Sequence, residues 1–355
     1  MNRPYFSVLI DTYNHERFIE EAIISVLSQD FPAADREILA VDDGSTDRTP
    51  EILEKFASQV RILRKANGGQ GSAFNSSIPE CQGEVVAFLD GDDWWAPNKL
   101  SVLAQAFSEN PAVGLVGHSI TEVLANGTRR SELVREASRF RINSADGARI
   151  FRLRRSFLGA SRMAFRAELL RRIGPVPETL VIEADEFLFT LGALFSEVLL
   201  LREPLTFYRL HGQNLFQIDH QDVTSLRRKR AVLLALAAEL RQRFLEEQVS
   251  PEVLHLIVDA VKIEADLMRL SLGEGTPLDS FRTELRSYDL ANGHASFGRR
   301  FLKCLTLAPA LFLAPKRYTA LKQKVISGSW YRKARKRFLP LHRPSHVDRV
   351  GDWNI

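Results

Sequence analysis

Three short apolar runs near the start of the chain each end abruptly in polar, mostly acidic positions. Phe6-Ser7-Val8-Leu9-Ile10 gives way to Asp11-Thr12-Tyr13-Asn14, and Glu37-Ile38-Leu39-Ala40-Val41 to Asp42-Asp43-Gly44-Ser45-Thr46-Asp47. Val85-Val86-Ala87-Phe88-Leu89 empties into Asp90-Gly91-Asp92-Asp93. Runs of this length predict buried strands, near 6–10, 37–41 and 84–89, with two more near 60–63 and 113–117. Between them, Phe18 to Gln29 has apolar residues at 19, 22, 23, 26 and 27, which is a helical spacing, and Pro50 to Phe56 is a shorter helix. Strands alternating with helices pair in parallel, and ligands of such sheets sit beyond the carboxyl ends of the strands. Asp11, Asp43, Asp90 and Asp92 are therefore expected to converge on one crevice.

Further along, Asn126-Gly127 is a hairpin turn pair, so residues 119–133 are expected to leave the sheet. Arg162-Met163-Ala164-Phe165 reads as a strand, and Ala167–Ile173 as a helix closed by Gly174-Pro175. Helical patterns run from Val223 to Phe244 and from Pro251 to Leu272 before Gly273-Glu274-Gly275-Thr276-Pro277 breaks them.

Composition narrows the class. At 355 residues and 45% hydrophobic content, the chain has material for one large or two modest domains. Two cysteines, Cys81 and Cys304, supply no disulfide framework and no metal-binding spacing, so a reducing, cytoplasmic compartment is expected. Met-Asn-Arg-Pro leads straight into the first strand, so no signal peptide is expected, and no apolar stretch is long enough to span a bilayer.

The formal charge of +4 conceals an asymmetry. From Leu290 to Val347 there is no Asp or Glu among 13 Lys and Arg, which leaves 35 basic and 44 acidic residues elsewhere. Within this stretch the apolar run Cys304–Pro315 lies between Arg299, Arg300 and Lys303 on one side and Lys316 and Arg317 on the other. Trp330, Tyr331 and Phe338 are interleaved with Arg332, Lys333, Arg335, Lys336 and Arg337. Such a mixture suits the surface of an anionic bilayer, each basic residue adding about 1 kcal/mol. A solvated tail and a nucleic-acid site are the rival readings, and no base-reading motif accompanies the basic run.

Chemistry is concentrated at the strand ends. Asp90, Asp92 and Asp93 repel one another, and burial raises the cost of keeping them charged, so either they form a solvated Asp-Gly turn or a hard divalent cation neutralises them. Asp43 could serve as a helix cap or Asx turn within Asp-Gly-Ser-Thr-Asp. Asn67-Gly68-Gly69-Gln70-Gly71 is either a structural turn or a loop offering N–H groups to phosphate, and it is no P-loop, since no Gly-Lys-Ser/Thr follows. Glu183, Asp185 and Glu186 begin an apolar helix, where acids complement the helix dipole. His211 lies in a polar segment, and Trp94 and Trp95 are candidates for stacking or for the core.

Taken together and in order, Ser7–Asn14, Val41–Asp47, Asn67–Gln70 and Asp90–Asp93 resemble the family 2 glycosyltransferases, over about residues 5–215. The resemblance implies an α/β chain of the GT-A fold, Rossmann-like, with a mainly parallel central sheet flanked by helices. To this the chain adds a C-terminal helical appendage and a basic amphipathic tail. It implies an inverting enzyme using a nucleotide-diphosphate sugar, UDP favoured, with Mg²⁺ or Mn²⁺ as cofactor. The acceptor would be a hydroxyl of a glycan or lipid-linked molecule in cell-surface polysaccharide synthesis.

By position, Asp43 matches the uracil contact, Asp90 the ribose contact and Asp92 the metal ligand, while Asp93 would cap the helix after Pro97 or support the metal. Asp11, Tyr13, Asn67 and Gly69 fall in the donor-binding motifs. The chain departs from the usual pattern at Asp11, where proline is common, and at Phe74, where many relatives carry a basic residue. Glu183-Ala184-Asp185-Glu186 resembles the motif that carries the catalytic base; Asp185 is chosen and Glu186 is the substitute one residue away. Tyr208–Asn214 resembles the family's His-Gly-x-Asn segment, which would let His211 ligate the metal or hold the diphosphate. The expected organisation is a nucleotide-sugar-binding half (1–118), an acceptor-binding half (119–220), a helical appendage (221–290) and a membrane-surface tail (291–355). The tail would seat the protein peripherally on the cytoplasmic face of a membrane, without nucleic acid as a partner. A non-catalytic membrane adaptor on a degenerate fold, or another nucleotide-sugar enzyme, is the alternative.

Overall fold

The three acidic strand ends belong to a parallel set of four: β1 (Phe6–Thr12), β2 (Arg36–Asp42) and β4 (Val85–Asp90), with β3 (Arg61–Arg64) beside β2. They belong to a computed structural model in which residues 4–132, 138–154, 159–211, 214, 222–292 and 296–327 are described. The remaining strands are β5 (Trp94–Trp95), β6 (Val113–Leu124), β7 (Arg129–Glu132), β8 (Ser138–Phe140), β9 (Met163–Arg166) and β10 (Glu197–Leu210). The sheet runs β3-β2-β1-β4-β9-β6-β10-β5, with β7 on β6 and β8 on β10. It is mixed: β9 is inserted antiparallel between β4 and β6, whereas β6 and β10 are parallel.

Helices α1 (Ile19–Leu27), α2 (Thr49–Glu54), α3 (Gln70–Ser77) and α4 (Lys99–Glu109) connect the first strands, followed after α5 (Ala145–Arg154) by α6 (Ala167–Ile173) and α7 (Ala184–Phe195). The core follows from the apolar runs: Val8, Ile10, Ile23, Val26, Ala40, Val85, Ala87, Leu89, Leu103 and Phe107 are all buried in one cluster. Burial on this scale is the main favourable term in folding.

The expected excursion at residues 119–133 does not occur. The Asn126-Gly127 turn is present, with Gly127 at φ +79°, but it joins β6 to β7 within the sheet. β6 continues to Leu124 because β10 pairs with it along its whole length, which buries His118, Ser119 and Thr121 despite their polarity.

The chain divides into two compact units, residues 1–143 with 157–217 and residues 144–156 with 218–355. The first holds the sheet. The second contains α5 and α8 (Val223–Glu246), α9 (Pro251–Ser271), α10 (Pro277–Ala291), α11 (Phe297–Thr306) and α12 (Pro315–Ser327). α8 and α9 are the expected helices, and Thr276 and Asp279 form a capping box that starts α10 after the glycine break. Among the described residues, no helix is long and apolar enough to cross a membrane. Trp330, Tyr331, Phe338 and their basic neighbours lie outside the described residues.

Candidate active site

The acidic strand ends meet as the alternating pattern requires. Asp11 stands beside Asp90 in the β1–β4 register, and the Asp43 amide donates to the Thr12 carbonyl at 2.9 Å. The loop after β1 is latched to the loop after β2. Asn14, in the left-handed region at φ +55°, receives a hydrogen bond from the Thr46 amide on its Oδ1 and donates its own amide to Ser45 Oγ.

Three carboxylates at this junction respond to confinement. Burial, then the neighbouring Asp92, pushes the Asp90 carboxyl up to about 6, against hydrogen bonds from Ser161 and Asp11. Burial and the charges of Asp90 and Asp92 hold Asp11 well above the usual carboxylate range. A side-chain hydrogen bond between Asp11 and Asp90 adds to the rise at Asp11 and opposes it at Asp90, which also accepts from Ser161 Oγ at 3.1 Å. Asp93 is likewise pushed well up, by burial and then by Asp92 and Asp90.

Asp92 differs. Burial would raise its carboxyl, yet the hydrogen bond from His211 and the charges of His15 and His211 hold it below the ordinary value. His211 Nε2 lies 3.0 Å from Asp92 Oδ2, and His15 Nε2 approaches the same oxygen at 3.9 Å. Asn214 holds this arrangement by accepting the His211 amide at 3.0 Å; Gly212 and Gln213 lie outside the described residues. His15 is fixed by its Nδ1 contact with Thr12 Oγ1 at 3.1 Å, and His211 packs on the Phe18 ring with centroids 4.8 Å apart. His211 Nδ1, Asp11 Oδ1 and Asp93 Oδ2 are buried and have no hydrogen-bond partner among the described residues.

Asp93 does not cap a helix. α4 starts at Lys99 with Asn98 as its cap residue, and no side chain caps it. Asp93 instead turns inward, 1% exposed, and accepts the Arg209 amide at 2.9 Å. Arg209 donates to the Asp92 carbonyl at 3.0 Å, its guanidinium lying 4.4 Å from the Trp94 ring and 4.8 Å from Phe18. Trp94 in turn stacks on Phe207 at 5.1 Å, while Trp95 belongs to the core. Beneath lies Lys99, fully buried, donating to the Ser161 carbonyl at 2.8 Å and to Thr206 Oγ1 at 3.2 Å. Burial holds its amine well below the usual range, although Asp93 and Asp90 act against that.

Asp43 is buried and accepts from Lys65 Nζ at 2.5 Å, from the Gly68 amide at 3.0 Å and from the Gly69 amide at 2.7 Å. The amides of Gly68 and Gly69, read as possible phosphate donors, are thus turned onto a carboxylate; two adjacent N–H groups bind the nearest fixed anion. Gly69 sits at φ +82°, and a Cβ there would meet the Val181 carbonyl oxygen at 2.6 Å, so only glycine fits. Asn67 is exposed, as is Tyr13, and Phe74 is buried against Phe88.

The remaining acids come from α7. Glu183 holds the cap position at φ +63°, and the Glu186 amide donates to Asp185 Oδ1 at 2.8 Å. Both Asp185 and Glu186 are buried. Burial, then Glu183, Asp90 and Glu186, drive the Asp185 carboxyl well above the usual range. The charge of Asp90 acts on Asp185. Asp11 and Asp90 are brought together by strand register, and Asp92 and His211 by a 3.0 Å contact, whereas Tyr13 and Asn67 are exposed. His15, Lys99, Ser161 and Arg209 were not read from the sequence. His15 directly follows the motif residue Asn14, which was the one available pointer.

Among the described residues, no group of three or more His, Cys, Asp or Glu side chains is arranged to hold a metal ion. Asp92 Oδ2 faces the His211 and His15 nitrogens at 3.0 and 3.9 Å; its carboxylate is the oxygen donor that Mg²⁺ and Mn²⁺ prefer, whereas the two imidazoles are not.

Residues 7–174 match glycosyl transferase family 2. An uncharacterised glycosyltransferase of Nostoc sp. is 33% identical over 222 residues, 59% of this chain and 65% of that relative. A Mycobacterium tuberculosis protein is 28% identical over 224 residues, 61% of this chain and 62% of its own length. The chain thus spans under two thirds of these curated relatives. In structure, residues 1–349 of TarS from Staphylococcus aureus, solved with UDP, superpose with a TM-score of 0.51 at 22% identity, covering 81% of this chain and 88% of that one. A mannosyltransferase of Pyrobaculum calidifontis, solved with GDP-Man and Mn²⁺, gives 0.51 at 19% identity, covering 92% and 86%. At these identities the likeness shows the GT-A fold. The domain at residues 7–174 thus matches glycosyltransferase family 2, and the solved structures share its fold.

Proposed function

We propose that the chain is an inverting glycosyltransferase that moves a sugar from a nucleotide-diphosphate sugar, UDP favoured, to a hydroxyl of a glycan or lipid-linked acceptor in surface polysaccharide synthesis. The observation that carries this reading is the 3.0 Å pairing of Asp92 with His211, 119 positions apart in the chain, at the end of the strand that also carries Asp90. Supporting it, TarS is named as a poly(ribitol-phosphate) β-N-acetylglucosaminyltransferase, and it is 40% identical over 93 residues, 25% of this chain and 16% of TarS.

In this reading Asp43, held by the Gly68 and Gly69 amides, presents its remaining lone pairs to a ring N–H of the base. Asp90 accepts from a ribose hydroxyl. Asp92 and His211, with His15 at their side, would hold Mg²⁺ or Mn²⁺. The cation, when bound, supplies charge neutralisation at the leaving diphosphate. Asp185 takes the acceptor proton as the hydroxyl attacks C1; burial and the charges of Glu183 and Asp90 raise its affinity for that proton. Glu186 is the substitute. One displacement from the face opposite the leaving group inverts the anomeric carbon. The acid-free basic stretch supports a peripheral seat on the cytoplasmic face of an anionic membrane, near a lipid-linked acceptor.

The test is turnover with a panel of UDP-, GDP- and dTDP-sugars, with the anomeric configuration of the product read by NMR. An α-linked donor should yield a β-linked product. Retention of configuration would overturn the single-displacement assignment of Asp185.

A further inference from the structure

Helix α11 is inside out. On a helical projection Phe297, Phe301, Leu302 and Leu305 occupy one side, and Arg299, Arg300 and Lys303 the other. A helix on a globular protein turns its apolar side inward. Here the basic side faces the neighbouring helix α10: Arg300 makes two hydrogen bonds to the Asp289 carboxylate, at 2.9 and 2.8 Å, and Lys303 Nζ lies 5.6 Å from the Tyr288 ring centroid. The apolar side faces water, with Phe297 86%, Phe301 57%, Leu302 62% and Leu305 56% exposed. Phe312, just beyond, is 83% exposed.

The orientation is anchored. Leu307, Ala310 and Tyr318 are buried with Phe281 and Leu285 of α10, so the segment cannot roll its apolar side inward without breaking that small core. The apolar run at 304–315, expected to lie wholly at a surface, is thus divided between an anchor and an exposed ridge. Four large apolar side chains exposed along one side of a helix form a patch that marks an interaction site. Its surroundings select the partner. Arg299 on the opposite side of the helix and Lys316 and Arg317 at the start of α12 are exposed, and no acid occurs between Leu290 and Val347. Apolar side chains flanked by unneutralised cations complement an anionic lipid surface, with rings among the acyl chains and cations at the headgroups.

We propose that the exposed ridge of α11, continued by Phe312, is the surface by which this chain inserts into the interface of an anionic bilayer. It rests on the membrane association proposed above and names the residues that make the contact. The alternatives, a second copy of the chain or residues 328–355 covering the ridge, are separated by the experiment.

The experiment is flotation of the full chain with phosphatidylcholine vesicles, with and without phosphatidylglycerol, beside light scattering without lipid. The wild type should be monomeric and float with phosphatidylglycerol vesicles, less so at high salt, and poorly with phosphatidylcholine alone. Phe301→Ser combined with Leu305→Ser should lower partitioning about 100-fold, at about tenfold or more per side chain withdrawn from the interface. Nucleotide binding should be unchanged in that variant, which separates this surface from the catalytic reading. Lys316→Glu with Arg317→Glu, both exposed, provides a second variant that leaves the apolar side intact and should also weaken flotation. No flotation of the folded wild type, flotation undiminished in both variants, or a dimer that the serine variant dissolves would overturn the proposal.

Discussion

Asp90→Asn should make the protein more stable while impairing donor binding. The Asp90 carboxyl is raised to about 6 from an ordinary 3.8, mainly because the strand end buries it and Asp92 lies alongside. About two pH units correspond to about 3 kcal/mol between the protonated and charged forms. Partial exposure of Asp90 to water makes that an upper figure. The sign follows from linkage. With its folded-state value above its unfolded one, the group's contribution to stability is intact below about pH 4. It is lost as the pH rises through about 6. The amide still accepts from Ser161 Oγ and from the Asp11 carboxyl but carries no charge at any pH, so the variant lacks this decline. The two proteins should therefore differ least near pH 4, and the variant should lead by up to about 3 kcal/mol at pH 8, equivalent to about 6–12 °C in melting temperature for a unit of this size. Urea unfolding at both pH values, with EDTA present, reads the difference. A gap independent of pH, or a variant less stable at pH 8, would refute the placement of a strained carboxylate at this strand end.

Asp185→Asn should lower kcat by about 10²–10⁴ with nucleotide affinity unchanged, since the group acts on the acceptor proton; steady-state kinetics beside UDP calorimetry checks this, and a loss in Glu186→Gln alone would move the base by one residue. Lys99→Met should cost about 1–3 kcal/mol, because it removes the donor to the Ser161 carbonyl and Thr206 and the cation beneath Asp90 and Asp93. Its penalty in urea unfolding should grow above pH 6, where Asp90 is charged. Gly69→Ala should unseat the α3 entry, as the left-handed backbone and the 2.6 Å approach to Val181 leave no room for a methyl group. Weakened nucleotide binding in calorimetry is expected there, through disturbed support of Asp43.

The acidic strand ends were legible because their chemistry is local. An apolar run that stops at Asp90-Gly91-Asp92-Asp93 announces both a buried strand and a charge problem. Helices with a clear apolar face, such as α1, α8 and α9, were legible for the same reason. What escaped depends on pairing between distant segments. Ser119 and Thr121 fall in the stretch expected to leave the sheet, yet neighbouring strands bury them by supplying the ladder hydrogen bonds their backbone needs. Asp93 resembled a cap, but the Arg209 amide, 116 positions away, offered a buried donor and drew it inward. His15, Ser161 and Lys99 carry no motif of their own. Their roles arise only when β9 and β10 are folded beside β4 and β5, and no periodicity in the chain encodes that adjacency. The inverted face of α11 is a similar case: its amphipathic pattern is plain in the sequence, whereas the direction it points is settled by Asp289 and the Leu307 anchor.

The most direct test of the account is calorimetric titration of UDP, GDP and dTDP, with and without Mn²⁺, into the wild type and Asp92→Ala. Mn²⁺-dependent binding of one nucleotide, weakened at least about tenfold by the substitution, is the predicted result, because Asp92 Oδ2 faces both His211 and His15. A folded protein that binds none of the three, or a variant that binds as the wild type does, would contradict the assignment of this crevice as a nucleotide-sugar site.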